Sequence, residues 1–170
     1  MAQTNEQLIP DDLISVEPEK IEEYCKKKGE LFAKGEDGEF KVSTSKLRNF
    51  FAKVISLRTY YRNPGRDDLD KLYNKLKREI ILLKPSLAYA YGRDKDLKNF
   101  CDETTYIIDK TIKSFNDEYL SKKGKEKEDE KGKEKENEKI DISLKFESLE
   151  NFFAILEGFV AYHKFYGGKD

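Results

Sequence analysis

The chain has 170 residues, about one domain's worth, with 39% charged, 37% apolar and 12% aromatic side chains and a formal net charge of −1. No apolar run is long enough for a membrane-spanning helix, and the opening MAQTNEQLIPDD has neither the basic start nor the apolar stretch of a signal peptide. Cys25 and Cys101 stand apart with no CxxC, which fits reduced thiols in a cytoplasmic protein and leaves no cysteine zinc site.

The predicted elements are all helical. Residues 1–40 are an acidic extension, with five lysines against eleven acids. It carries a short helix over 18–28, opened near Ser15 and Pro18 and interrupted by Gly29 and Gly35. Ser43 or Thr44 caps a second helix, which Pro64-Gly65 stops. Its apolar residues, Leu47, Phe50, Phe51, Val54, Leu57 and Tyr61, recur at three- and four-residue steps. Asp67 or Asp68 opens a third, with Leu69, Leu72, Tyr73, Leu76, Ile80 and Leu83 as its stripe. Pro85 is expected to kink this helix rather than end it, because SLAYAYG still reads as helix.

The fourth helix, from Asp94 to Leu120, places Leu97, Phe100, Cys101, Ile107, Ile108, Ile112, Phe115 and Tyr119 on its buried side. Residues 121–139 hold eight lysines, seven acids and no apolar side chain. Nothing there offsets the entropy of ordering, so the run reads as a disordered loop or a frayed, solvated helical extension. The last helix starts near Ser148 or Ser143. No segment alternates with period two, so no sheet is expected. The fold class is all-α, a compact bundle of about five helices in one domain over 1–170.

The near-zero net charge hides an asymmetry. Residues 41–93 carry thirteen Lys or Arg against four acids, while residues 94–120 carry four Lys against seven. All six arginines, Arg48, Arg58, Arg62, Arg66, Arg78 and Arg93, lie in the basic block. A local positive field attracts phosphate whatever the rest of the chain carries, and arginine grips it bidentately. On a helical wheel, Arg48, Arg58 and Arg62 fall on one flank of the second helix's stripe, and Lys46 and Lys53 on the other. Their plainer role is to solubilise the helix and cover the core edge with their stems. The excess of cations favours phosphate binding instead.

Catalytic patterns are missing. His163 is the single histidine, which leaves neither a relay nor a histidine metal site, and no GxxxxGK[ST] or GxGxxG occurs. Asp67, Asp68 and Asp70 resemble a metal cluster but open a helix, where acids satisfy free amides and oppose the dipole. No cofactor and no enzymatic activity are expected. The final helix carries two stripes. Leu149, Phe152, Phe153, Leu156, Val160 and His163 form one; Ile155, Phe159, Tyr162 and Tyr166 form the other. The first is expected to bury in the bundle and the second, Ile155, Phe159, Tyr162 and Tyr166, to meet another protein or chain, with His163 in the core or at an interface. Gly158, within this helix, points to close approach of a neighbouring backbone. Gly167 reads as a left-handed helix cap.

Three segments carry a resemblance. STSKLRNFFAKV at 43–54, LLKPSLAYAYGRD at 82–94 and LEGFVAYHKFYGGKD at 156–170 resemble the small subunit of the type III-A CRISPR interference complex, the Csm effector. The terminal segment is the most specific of the three. The acidic N-terminus and the charged run fall outside the resemblance, and Pro85 departs from it. The resemblance implies a non-catalytic helical bundle, several copies of which stack beside the crRNA-bound backbone subunits and line the groove where target RNA pairs with the guide. RNA cleavage there belongs to the backbone subunits, and DNA cleavage and cyclic oligoadenylate synthesis to the large subunit. The implied partners are target RNA, the crRNA–target duplex, other effector subunits and further copies of the chain, in antiviral defence, with no membrane. Lys46, Arg48 and Lys53 of the first motif and Arg93 of the second are the implied RNA contacts. Arg58, Arg62, Arg78 and Lys84 rest on charge alone. A helical protein–protein adaptor without nucleic-acid contact remains the alternative, and the two-stripe final helix suits it equally.

Overall fold

Five stripes of apolar residues fold as five helices in a computed structural model, which describes residues 9–35, 37–40, 42–129 and 145–167. They are α1 (Pro18–Ala33), α2 (Thr44–Arg62), α3 (Leu69–Arg93), α4 (Lys98–Asp129) and α5 (Glu147–Phe165), with a 3-10 turn at Lys95–Leu97 between α3 and α4. No strand occurs among the described residues beyond an isolated bridge between Lys34 and Phe40. The expected all-α bundle is what forms.

The local signals explain α2 and α3. Ser43 takes the extended N-cap conformation of α2, and Asp68 caps α3 by accepting from the Lys71 amide at 2.9 Å. Gly65 adopts a positive φ of 67° in the turn between them. α3 runs on through Pro85 to Arg93, so the helix does not end at the proline. The ring removes one intrahelical donor, that for the Ile81 carbonyl, and the flanking turns carry the helix past it.

α1 is longer than the sequence suggested. Gly29 does not interrupt it; the helix continues to Ala33 because that glycine is where α5 comes closest. A Cβ built on Gly29 would meet Tyr162, and one on Gly158 of α5 would lie 2.5 Å from Cys25 Sγ. Two glycines, one on each helix, therefore let α1 and α5 pack at short range; at Gly158 the group that comes close is the Cys25 side chain, and it is at Gly29 that a backbone does. Tyr24 and Phe32 of α1 sit on Phe159 at centroid distances of 5.5 and 4.8 Å, and Cys25 Sγ donates to the Ile155 carbonyl at 3.4 Å. Burial pushes the Cys25 thiol up to about 12 and that of Cys101 to about 11, so both remain protonated and behave as small apolar groups.

The stretch before α1 is also built into the core. Ile9 and Leu13 are buried, the Leu13 amide donates to Ser114 Oγ at 3.0 Å, and Asn151 Nδ2 donates to the Leu13 carbonyl at 2.6 Å. Lys110 of α4 holds Asp11 at 2.7 Å. Around Phe100 of α4, the rings of Phe32, Phe50 and Phe51 lie 5.4 to 5.9 Å away and join three helices. Tyr73 of α3 stacks on Tyr119 of α4 at 3.7 Å.

α5 starts beside Ser148, as expected, but its N-cap residue, Phe146, supplies no side-chain hydrogen bond. Ser143 lies outside the described residues. The Glu118 carboxylate of α4 accepts instead from the Glu147 and Ser148 amides, at 3.0 and 2.6 Å. The first nine residues of the charged run, 121–129, continue α4 as the helical extension; 130–139 lie outside the described residues. Gly167, with φ of 108°, follows α5 in the left-handed conformation expected of a cap.

Candidate nucleic-acid interface

α2 and α3 form an antiparallel hairpin, because the Pro64-Gly65 turn reverses the chain after Arg62. Their facing flanks leave an open groove. At one end it has a volume of about 870 Å³ and is lined by Lys46, Asn49 and Lys53 from α2 and by Ser86, Tyr89 and Arg93 from α3. A second stretch of about 510 Å³ adjoins it, shares Lys53 and Ser86, and ends at Tyr60 and Lys75. Lys53 Nζ crosses the groove to Ser86 Oγ at 2.6 Å, and Lys75 sits 3.9 Å over the Tyr60 ring.

Seven-residue steps set out two basic lines on α2. Lys46, Lys53 and Tyr60 follow one another along the groove side, while Arg48, Ile55 and Arg62 follow one another on the opposite flank. Members of a line are separated by about 10 Å along the axis, at 1.5 Å per residue. Arg48 and Arg62 are exposed, as is Ile55 between them. The flanks are those read from the wheel, so the RNA-contact candidates do not all converge. Lys46, Lys53 and Arg93 share the groove; Arg48 and Arg62 share the outer line; Arg78 stands on α3 beside Ile81 and Leu82.

Acids from other elements divide the candidates further. Lys46 Nζ lies 2.6 Å from Asp94 and 3.9 Å from Asp96. Its hydrogen bond holds the Asp94 carboxyl below the usual carboxylate range. Arg58 pairs with Glu157 of α5, and Lys84 with Asp109 of α4 at 2.6 Å. By contrast, Arg48, Arg62, Arg66, Arg78 and Arg93 are exposed and make no ion pair among the described residues. Arg93 instead lies 5.7 Å from the Tyr89 ring.

The aspartates that open α3 each have a partner. Asp68 caps the helix, Asp67 accepts from Tyr60 at 2.7 Å, and Asp70 accepts from Tyr119 at 2.5 Å and pairs with Lys123.

The second stripe of α5 requires a correction. Ile155 and Phe159 are fully buried within the chain, covered by α1 and unavailable to another molecule in this conformation. A stripe in a sequence does not name its partner, and the acidic N-terminal helix supplies it. Tyr162 and Tyr166 keep accessible surface; Tyr162 donates to Glu22 of α1 at 2.7 Å. His163 is a core histidine: its Nε2 lies 2.8 Å from the buried Val42 carbonyl, and burial holds its imidazole below its ordinary value.

Tyr89 escaped the sequence reading. It is 68% exposed inside the groove, and the signal was available as an aromatic four residues before Arg93 on the face that carries Ser86. Asp94 escaped as well, as the counter-charge of Lys46.

No helix among the described residues is long and apolar enough to cross a membrane. Neither a curated protein nor a solved structure matches the chain. The sequence model of one family, described as Csm2 Type III-A, matches residues 16–123, from just before α1 to the charged end of α4. The match takes in α1, which the three-segment resemblance left out, and both internal segments; the terminal segment 156–170 lies beyond it. Because it covers more than half of the chain and the helical bundle agrees with it, this protein belongs to the Csm2 family, the small subunit of the type III-A Csm effector.

Proposed function

We propose that this chain is a non-catalytic subunit of a type III-A CRISPR ribonucleoprotein, one that holds RNA by its backbone without reading sequence. The exposed cations of the α2–α3 hairpin face the guide–target RNA, and several copies stack along it. One observation carries this reading. Five of six arginines stand exposed on or beside one hairpin, and none is neutralised by an ion pair among the described residues. Guanidinium groups left without an internal carboxylate are suited to an external polyanion.

The chemistry matches the task of such a complex. A-form RNA presents a deep major groove that side chains cannot read, so its phosphates are what a generic binder meets. Targets differ in sequence, so contact with base edges would restrict them. Cations neutralise phosphates on any sequence, and the binding is then strongly salt-dependent.

Catalysis is assigned elsewhere in the assembly. His163 is buried against Val42, both thiols are held protonated, and the α3 aspartates have partners within the chain. A gel-shift titration with generic single-stranded and duplex RNA at two salt concentrations tests the reading. Binding at low salt that weakens steeply at high salt is expected; no binding even at low salt favours a pure protein adaptor.

A further inference from the structure

The groove between α2 and α3 contains one group that backbone recognition does not need. Tyr89 is 68% exposed and lines a concave site together with Lys46, Lys53 and Arg93 and one acid, Asp94. Five other tyrosines, Tyr24, Tyr60, Tyr73, Tyr119 and Tyr162, each donate a hydrogen bond to a side chain within the chain. Among the described residues Tyr89 makes no such bond; the Arg93 guanidinium lies 5.7 Å from its ring and has no ion pair among those residues. Phe50 and Leu97 contribute apolar surface beside it, and Lys46 and Lys53 stand on the facing helix. A flat ring, a stacking guanidinium and cations on the opposite wall are the features that receive an unpaired nucleotide.

We propose that this groove seats one unpaired RNA nucleotide, its base stacked on Tyr89 beside Arg93 and its phosphate held by Lys53 and Arg93. The inference rests on the RNA reading above and adds to it. A base within a continuous duplex is stacked on its neighbours and cannot lie on Tyr89, whereas an unpaired or extruded base can. Stacking is indifferent to base identity because every base has a π-face. The groove therefore distinguishes strand state and leaves sequence unread, while Arg48 and Arg62 on the outer line contact phosphate in either state.

The test compares the full-length chain with Tyr89→Ala and Tyr89→Phe. Three probes are used: a single-stranded RNA, a blunt duplex of the same length, and inorganic polyphosphate as a base-free anion. Tyr89→Ala is expected to weaken single-strand binding by about 5- to 150-fold, the range for loss of one stacked base. Duplex and polyphosphate binding remain unchanged, and Tyr89→Phe retains wild-type affinity on all three. Equal losses on all probes, or no loss on the single strand, overturn the inference while leaving backbone binding intact. A wild-type chain that binds none of the probes overturns both the RNA reading and this inference. Because Tyr89 is exposed, the alanine variant is expected to keep the wild-type far-UV circular dichroism, which separates lost stacking from lost folding.

Discussion

Gly29 of α1 lies so close to Tyr162 of α5 that a Cβ built on the glycine would sit 2.3 Å from the tyrosine Cβ and 2.7 Å from its carbonyl carbon. The obstruction is backbone as well as side chain, and it cannot move without shifting α5. Gly29→Ala is therefore expected to destabilise the fold by about 2 kcal/mol or more, despite a helix-propensity gain of about 1 kcal/mol. Urea denaturation measures it. Gly92→Ala, with nothing within 4 Å of the added atom, serves as the control and should be neutral or slightly stabilising. Equal effects at the two glycines would contradict the close α1–α5 packing.

His163 makes stability depend on pH. Burial lowers its folded-state pKa from the ordinary 6.5, so the unfolded chain binds its proton first. The contribution is fully present above that value and is lost as pH falls through it towards the folded pKa, by at most about 1.4 kcal/mol per pH unit. Denaturation midpoints at about pH 7.5 and about pH 5.5 should differ accordingly, and His163→Gln should narrow the difference. If the substitution leaves the difference unchanged, the buried imidazole is not its source.

On the proposed reading, Asp94 and RNA phosphate compete for Lys46, which pairs with Asp94 within the chain. Asp94→Asn removes the charge but keeps an oxygen that can accept from the Asp96 amide, as Asp94 Oδ1 does now at 3.1 Å. The variant is expected to bind RNA a few-fold more tightly, with the salt dependence steepened by about 0.7 to 0.9 in the log–log slope, one additional phosphate contact. Fluorescence anisotropy across a salt series measures both. Weaker binding would mean that Asp94 positions Lys46 for RNA rather than withholding it.

Much of the fold was legible in local chemistry. Ser43, Asp68 and the Pro64-Gly65 pair mark the limits of α2 and α3 because caps and breakers act within a few residues. What was not legible depends on residues distant in sequence. Gly29 reads as a break until Tyr162 is seen against it. The carboxylate that takes up the first amides of α5 belongs to Glu118, 29 residues before the first amide that it accepts from. The stripe of Ile155 and Phe159 was assigned to another chain because a sequence does not reveal which helix covers which face; α1 does. The candidate site divides in the same way. Charge density identified the hairpin, and the wheel separated its two flanks. The carboxylates that take up Lys46, Arg58 and Lys84 come from elements that only the fold brings near.

The salt dependence of RNA binding by Arg48→Ala/Arg93→Ala tests the central claim most directly, since one arginine lies on the outer line and the other in the groove. On two RNAs of unrelated sequence, the double variant is predicted to lose affinity equally, with the log–log salt slope shallower by about 1.4 to 1.8, two phosphate contacts. An unchanged slope, or a loss confined to one sequence, would contradict backbone recognition by the α2–α3 hairpin.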